Sequence, residues 1–226
     1  MLFRSMFTAP PEATLEWNDA AVEGSYRFLR RVWMFGSKLH AMNSGAGHAR
    51  IDWATAELDR EIKALRLEVH TILKQVDYDY QRMQYNTVVS GNMKLLNALE
   101  DFKRESSDAS NATLLEGFGI LLRCLYPATP HIAHALWSDL GYAEVQGDLL
   151  DAPWPEVDAS ALQQDEIELM LQINGKLRGS VTVSSAADKA AIEAAALATE
   201  AFIKQAAGAA PKKVIVVPGR LVNIVV

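Results

Sequence analysis

Leu121-Leu122-Arg123-Cys124-Leu125-Tyr126-Pro127-Ala128-Thr129-Pro130-His131-Ile132-Ala133-His134-Ala135-Leu136-Trp137 reads as the end of a buried helix, a rigid corner and the start of a second helix. Pro127 cannot continue the first helix, because it lacks a backbone donor and its ring clashes with the preceding turn. Thr129 and Pro130 suit the N-cap and first helical position, where a missing N–H costs nothing. Leu125, Ile132 and Trp137 are expected in the core. The chain before the corner is helical, and the chain after it runs into an acidic stretch, so one architecture closes here.

The chain has 226 residues, enough for one medium domain and a small one. Half of them are apolar, yet no run approaches the roughly 18 to 20 apolar residues that span a bilayer. Met1 is not followed by a basic segment and an apolar h-region. Cys124 is the only cysteine, which excludes a disulfide framework and a cysteine-rich zinc site. A soluble protein of the reducing cytoplasm is expected. The net charge of -6 is unevenly spread: from Glu166 onward seven Lys/Arg face five acids, against 15 and 23 before it. No Lys or Arg lies between Arg123 and Lys176. A polyanion would touch either side of that gap, not the gap itself.

Met1 to Trp17 has an apolar start and a Pro10-Pro11 breaker. It reads either as a short helix packed on the later helices or as the remnant of a connection to a missing part. Asn18 or Asp19 can cap a helix running from Val22 to about Met42, with Val22, Tyr26, Leu29 and Trp33, and beside them Phe28, Val32, Phe35 and Leu39, as a broad apolar face. Arg27, Arg30 and Arg31 share the other side, with Lys38 two turns on; this patch is either a solvated face or a phosphate contact. Asn43 to Gly47 ends the helix. A second helix is expected from Ile51 or Trp53 to about Val76. A third, after Tyr78-Asp79-Tyr80, carries Met83, Val88, Val89, Met93, Leu96 and Leu99, and Gly91 weakens it by up to about 1 kcal/mol. Helices from Asn111 to Tyr126 and from Pro130 to about Leu140, with Gly141 as C-cap, complete an antiparallel helical bundle over 18–146. Residues 147–165 read as an acidic, proline-containing linker.

From residue 166 the period switches to two. Ile167, Leu169, Leu171 and Ile173 alternate with polar or exposed positions, and Asn174-Gly175 signals a hairpin. Pairing apolar with apolar favours a three-residue loop with a bulge, which sets Lys176 and Arg178 together on the wet face. Ser184 or Ser185 caps an alanine-rich helix stopped by Gly208, and a second hairpin turns at Pro218-Gly219. The expected fold is therefore mainly α, a helical bundle followed by a small ββαββ α+β domain over 166–226.

No self-sufficient active site is legible. His131 and His134 at i, i+3 lack further ligands at metal spacing. Cys124 lies in an apolar helix and reads as core. Gly117-Phe118-Gly119 has neither the strand nor the spacing of a phosphate loop. No catalytic and no metal residues are assigned.

The corner, with Gln84-Tyr85-Asn86-Thr87-Val88-Val89, Leu15-Glu16-Trp17-Asn18-Asp19, Val22-Glu23-Gly24, Arg27-Phe28-Leu29 and Arg31-Val32-Trp33, closely resembles bacterial leucyl-tRNA synthetases. The resemblance continues through Gln172 to Arg178 and through Val214 to Asn223 and covers essentially the whole chain. The bundle type, that of class Ia anticodon-binding domains, is shared with isoleucyl, valyl and methionyl relatives. The tail separates them: isoleucyl enzymes commonly carry a cysteine zinc site, and valyl enzymes end in a coiled coil. The family's nucleotide-binding catalytic domain, with its HIGH and KMSKS motifs, and its editing domain are not in this sequence.

The resemblance implies the C-terminal portion of such a ligase, inactive alone, with no cofactor of its own and with ATP and Mg expected only in the missing catalytic domain. Its implied partners are leucine tRNA and the catalytic portion of the synthetase, with no membrane and no DNA. The bundle is expected along the inner side of the tRNA and the tail at its corner. Arg27, Arg30, Arg31 and Lys38 from the bundle, and Lys176, Arg178, Lys212, Lys213 and Arg220 from the tail, are the candidate RNA-binding residues, acting mainly on phosphates. A stand-alone protein-interaction or generic RNA-binding module is the alternative.

Overall fold

The computed structural model describes residues 2–10, 12–14, 19–43, 53, 56, 58–103, 107–163, 166–206 and 211–226. The expected Asn18 cap, the 44–47 turn, the start at Ile51, the break at Ser106 and the stop at Gly208 lie outside them. The chain divides into two compact units, Met1–Leu162 and Gln163–Val226.

In the first unit, α1 (Leu2–Thr8) inserts Phe3, 4% exposed, and stacks it on Phe28 of α2 (Asp19–Asn43) at 5.6 Å between ring centroids. The apolar start is thus a helix packed on the unit. The face that α2 buries is narrower than the sequence suggests: Ser25, Phe28, Val32, Phe35, Gly36 and Leu39 are buried, while Tyr26 and Trp33 stand 66% and 44% exposed. One residue is a rotation of about 100° on a helix, so Trp33 beside the fully buried Val32 points away from the core.

The second long helix, α3 (Arg60–Gln81), starts later and ends later than expected. Asp59 supplies the cap, its carboxylate accepting from Glu61 N (3.1 Å) and Ile62 N (3.0 Å). Tyr78-Asp79-Tyr80 lies inside the helix. Its end is a Schellman closure, Gln84 N–H donating to Asp79 O (2.9 Å) and Met83 N–H to Tyr80 O (3.0 Å). Met83 therefore sits in the left-handed position (φ 56°), 60% exposed, and is not part of α4 (Tyr85–Asp101). α5 (Asp108–Leu125) is capped by Ser107, whose Oγ accepts from Ser110 N (3.1 Å).

At the corner, Leu125 and Trp137 are buried, and Ile132 is half-buried beside Ala133 and Leu136 of α6 (Pro130–Asp139). Pro130 opens α6, but the Thr129 hydroxyl does not cap it. It donates back to Leu125 O (3.2 Å), closing α5 instead. Gly141 takes the left-handed C-cap role (φ 78°), and an unforeseen short helix, α7 (Tyr142–Gln146), comes next. Tyr142 stacks on Trp137 at 4.7 Å and donates to Leu115 O (2.6 Å).

Residues 147–162 are a strap on the helices, not a solvated linker. Leu149, Pro155 and Ala161 are buried, Trp154 packs on Tyr80 (4.8 Å), and Gly147 O accepts from Trp137 Nε1 (3.0 Å). The acids catch the eye in the sequence, but these apolar residues between them have an uncovered surface to fill.

The second unit holds a four-stranded mixed sheet in the order β2-β1-β4-β3, from β1 (Glu166–Ile173), β2 (Lys176–Ser184), β3 (Lys213–Val217) and β4 (Leu221–Val225). β1 and β4 run parallel and the other pairs antiparallel. Two helices, α8 (Lys189–Leu197) and α9 (Glu200–Ala206), stand where one is expected, and Asp188 is the cap in place of Ser184 or Ser185. Ile192, Ala196 and Phe202 form one core with Leu169, Leu171, Ile173, Val181, Val183, Val222 and Ile224.

The expected three-residue loop is not formed. Asn174 (φ 49°) and Gly175 (φ 75°) make a two-residue turn of the I′ kind, with Ile173 opposite Lys176. Asn174 tolerates the conformation because its Oδ1 accepts from Val226 N (3.1 Å). The apolar phase is restored further on, where the register slips by one at Arg178: Gln172 pairs with Leu177 but Leu171 with Gly179, which brings Val181 opposite Leu169. The bulge exists, displaced from the turn into the strand.

Candidate nucleic-acid interface

The cations that the sequence nominates fall into distinct situations. On α2, Arg27 is exposed and pairs with Glu23 one turn back (2.9 Å), an i,i+4 contact of small energetic weight in water. Arg31 is committed across helices, its Nη2 donating to Asn97 Oδ1 (2.7 Å) and to Glu100 on α4. Arg30 and Lys38 are exposed and make no ion pair among the described residues. The four are therefore not equivalent: Arg30 and Lys38 present free charge, and Arg31 would have to leave Glu100 to reach a phosphate.

Lys38 and Lys103 both line a groove of about 320 Å³ with Phe35, Leu39, Leu99 and Phe102, and Glu100 lines it too. Sequence reasoning missed Lys103, which is 65 positions from Lys38 and reaches it only through the packing of α2 on α4 and α5. Lys74 and Lys94 likewise share a groove between α3 and α4 with Thr71, Thr87 and Ser90. Thr87 belongs to the Gln84–Val89 stretch, and that was the available signal.

In the second unit the register gathers some candidates and parts one from the rest. Lys176 opens β2 opposite Ile173, and Ile173 pairs with Ile224 near the end of β4. Lys213 opens β3 opposite Val225, and Lys212 N–H donates to Val225 O (2.8 Å). Lys176, Lys212 and Lys213 thus crown one end of the sheet, with Arg178 at the bulge close behind. Arg220 sits in the turn before β4, about 13 Å away along that strand. All five are exposed, so the crown is cationic and solvated.

Other polar residues serve the fold. His134 Nε2 lies 3.1 Å from Asp148 Oδ2 at the surface. Burial pushes the Cys124 thiol up to about 12, against a smaller opposing pull from Arg123, so it is not a nucleophile at neutral pH. Among the described residues no group of three or more His, Cys, Asp or Glu could hold a metal ion, and no helix is long and apolar enough to cross a membrane. Two grooves and one end of the sheet thus carry exposed cations without an ion-pair partner among the described residues.

The family described as the anticodon-binding domain of tRNA ligase matches residues 63–194. The chain is 81% identical over 222 residues to a leucine–tRNA ligase of Polaromonas naphthalenivorans, with 98% of this chain and 25% of the relative covered. To those of Paracidovorax citrulli and Variovorax paradoxus it is 72% and 66% identical, again over 98% of this chain and 25% of theirs. The chain spans about a quarter of the length of the curated relatives it matches. A crystal structure of a ternary LeuRS–tRNA–LeuAMS complex from Agrobacterium radiobacter K84 shares the fold, with a TM-score of 0.75 at 23% identity over 99% of this chain and 27% of that one. With more than half of its length matched, the chain belongs to the anticodon-binding domain family of tRNA ligases.

Proposed function

We propose that this chain is the tRNA-docking portion of a cytoplasmic leucine–tRNA ligase, which holds the body of leucine tRNA so that its 3′ end reaches a catalytic site on another part of the enzyme. The observation that carries this reading is the identity of up to 81% to leucine–tRNA ligases along 98% of the chain. The free cations give it a physical basis. In this reading the helical unit is an antiparallel bundle of the class Ia type, and the tail is a ββαββ unit whose helix is broken in two. Arg30 and Lys38, with Lys103, form the phosphate contacts of the first unit. Lys176, Arg178, Lys212 and Lys213 form those of the second, and Arg220 contributes separately. Such contacts position an RNA without reading its bases. Activation of leucine with ATP and magnesium belongs to the catalytic portion.

The test is reconstitution. A leucine–tRNA ligase deprived of the quarter that matches this chain is mixed with residues Met1 to Val226, and leucylation is followed alongside adenylate formation. Restored leucylation with adenylate formation unchanged is expected. Absence of leucylation, together with no binding of leucine tRNA to the isolated chain, overturns the reading.

A further inference from the structure

Two helix stripes face each other across the groove between α3 and α4. Along α3, Thr71, Lys74, Gln75 and Tyr78, with Arg82 just past its end, are exposed at helical spacing. Thr87, Ser90 and Lys94 of α4 line the other side. The base of the groove is apolar, made of Ile72, Val76 and Gly91, where the helices approach so closely that a Cβ on Gly91 would stand 2.4 Å from Val76 Cγ2. The groove has a volume of about 880 Å³. From Thr71 to Arg82 the α3 stripe runs about 16 Å, longer than a single phosphate and long enough for a short strand.

The positive charge in this groove is not spent on the fold. Lys74 and Lys94 are exposed and make no ion pair among the described residues. Asp79, the acid lining the groove, accepts from Gln75 Nε2 (2.8 Å). Tyr78 is 53% exposed, yet it is held: Arg82 Nη1 donates to its hydroxyl (2.6 Å), and the guanidinium lies over the ring at 5.3 Å from the centroid. A ring fixed beside two free lysines is a platform on which a base can stack while the lysines hold phosphates. A lone inorganic phosphate would use the lysines but leave the ring and the apolar base of the groove without a role.

We propose that the groove between α3 and α4 is a subsite for an unpaired nucleotide of RNA, with Tyr78 stacking on its base and Lys74 and Lys94 holding the phosphates that flank it. The subsite rests on the tRNA reading above and adds a base contact to it. Every base has a face on which an aromatic ring can stack, so Tyr78 captures a base that has left its helix without choosing its identity.

The experiment measures binding of leucine tRNA to the whole chain over a range of salt. It compares Tyr78→Ala, Tyr78→Leu, Tyr78→Phe and the double variant Lys74→Ala, Lys94→Ala, with a cooperative melt to verify folding. Tyr78→Ala and Tyr78→Leu are expected to bind about fivefold or more weakly with an unchanged salt slope, since a lost stack releases no counterions. Tyr78→Phe keeps the ring and is expected to bind like the unaltered chain. The double lysine variant is expected to flatten the log–log slope by roughly 1.4 to 1.8, two phosphate contacts' worth. On a perfectly paired RNA duplex, which has no base to give up, Tyr78→Ala is expected to cost nothing. Leucine tRNA bound equally well by the unaltered chain and by the folded Tyr78→Ala and Tyr78→Leu variants, or the same loss on the duplex, overturns the subsite and leaves the docking reading standing. If the unaltered chain binds no leucine tRNA, the docking reading fails and the subsite falls with it.

Discussion

Gly91 illustrates how a residue can be read correctly by type and wrongly by role. Propensity marks it as a weak point in a helix, worth up to about 1 kcal/mol against alanine. In the structure it is buried on α4, where an added Cβ would stand 2.4 Å from Val76 Cγ2 of α3. Glycine is there because two helices meet, and contact between helices is invisible to local propensity. Gly91→Ala is therefore expected to destabilise the first unit, by about 1 to 3 kcal/mol as an overpacking change; thermal melting would measure it, and a stabilised variant would refute the packing argument. Asp158 gives a prediction in pH. Its partial burial works against ionisation, but Ser160 and Arg66 outweigh that and hold its carboxyl down to about 2. A depressed carboxylate contributes stability that is present above its unfolded value of about 4 and is lost as pH falls through the folded one. Protection of the strap amides from hydrogen exchange is expected to fall between about pH 4 and pH 2 more steeply than in Asp158→Asn. Neither Arg66 nor Asp158 could be nominated from the sequence, because 92 positions separate them and each looks like an ordinary surface charge.

Elements are legible where the signal is local. The proline corner, the Gly141 stop, the alternation of β1 and the turn at Asn174-Gly175 depend on neighbours within a few positions, and the structure has each of them in place. Errors arise where tertiary contact supplies the missing term. Trp33 is apolar and at helical spacing, yet it stays exposed on this unit. Matching apolar pairs points to a longer hairpin loop, but the sheet corrects its phase with the bulge at Arg178 instead, and Asn174 is stabilised by Val226 at the far end of the chain. Asn174→Ala removes both the left-handed preference and that hydrogen bond, and is expected to destabilise the second unit by about 1 kcal/mol or more; Asn174→Gly should cost less. The strap makes a sharper prediction about where the first unit ends. A chain stopped at Leu162 is expected to melt cooperatively, whereas one stopped at Gln146 loses the Asp158, Trp154 and Leu149 contacts and should melt lower. Equal melting temperatures would return residues 147–162 to the status of a linker.

At the scale of the molecule, two units with separate cores carry their free cations in separate places, and a stretch without Lys or Arg runs between them in sequence. That distribution suits a long polyanion touched at more than one site, not a compact ligand. The sequence makes the division and the candidate cations visible, because composition and periodicity change at residue 166. It could not show which of them are spent on the fold. Arg31 is tied to Glu100 and Asn97, while Lys176, Lys212 and Lys213 are brought to one sheet end by the parallel pairing of β1 with β4. The most direct measurement of the docking claim is the affinity of the whole chain for leucine tRNA as a function of salt, compared with the Lys176→Ala, Lys212→Ala, Lys213→Ala variant. Each lost phosphate contact should flatten the log–log slope by roughly 0.7 to 0.9, so the variant is expected to be flatter by about 2 to 3. A folded variant with the slope and affinity of the unaltered chain would contradict the account.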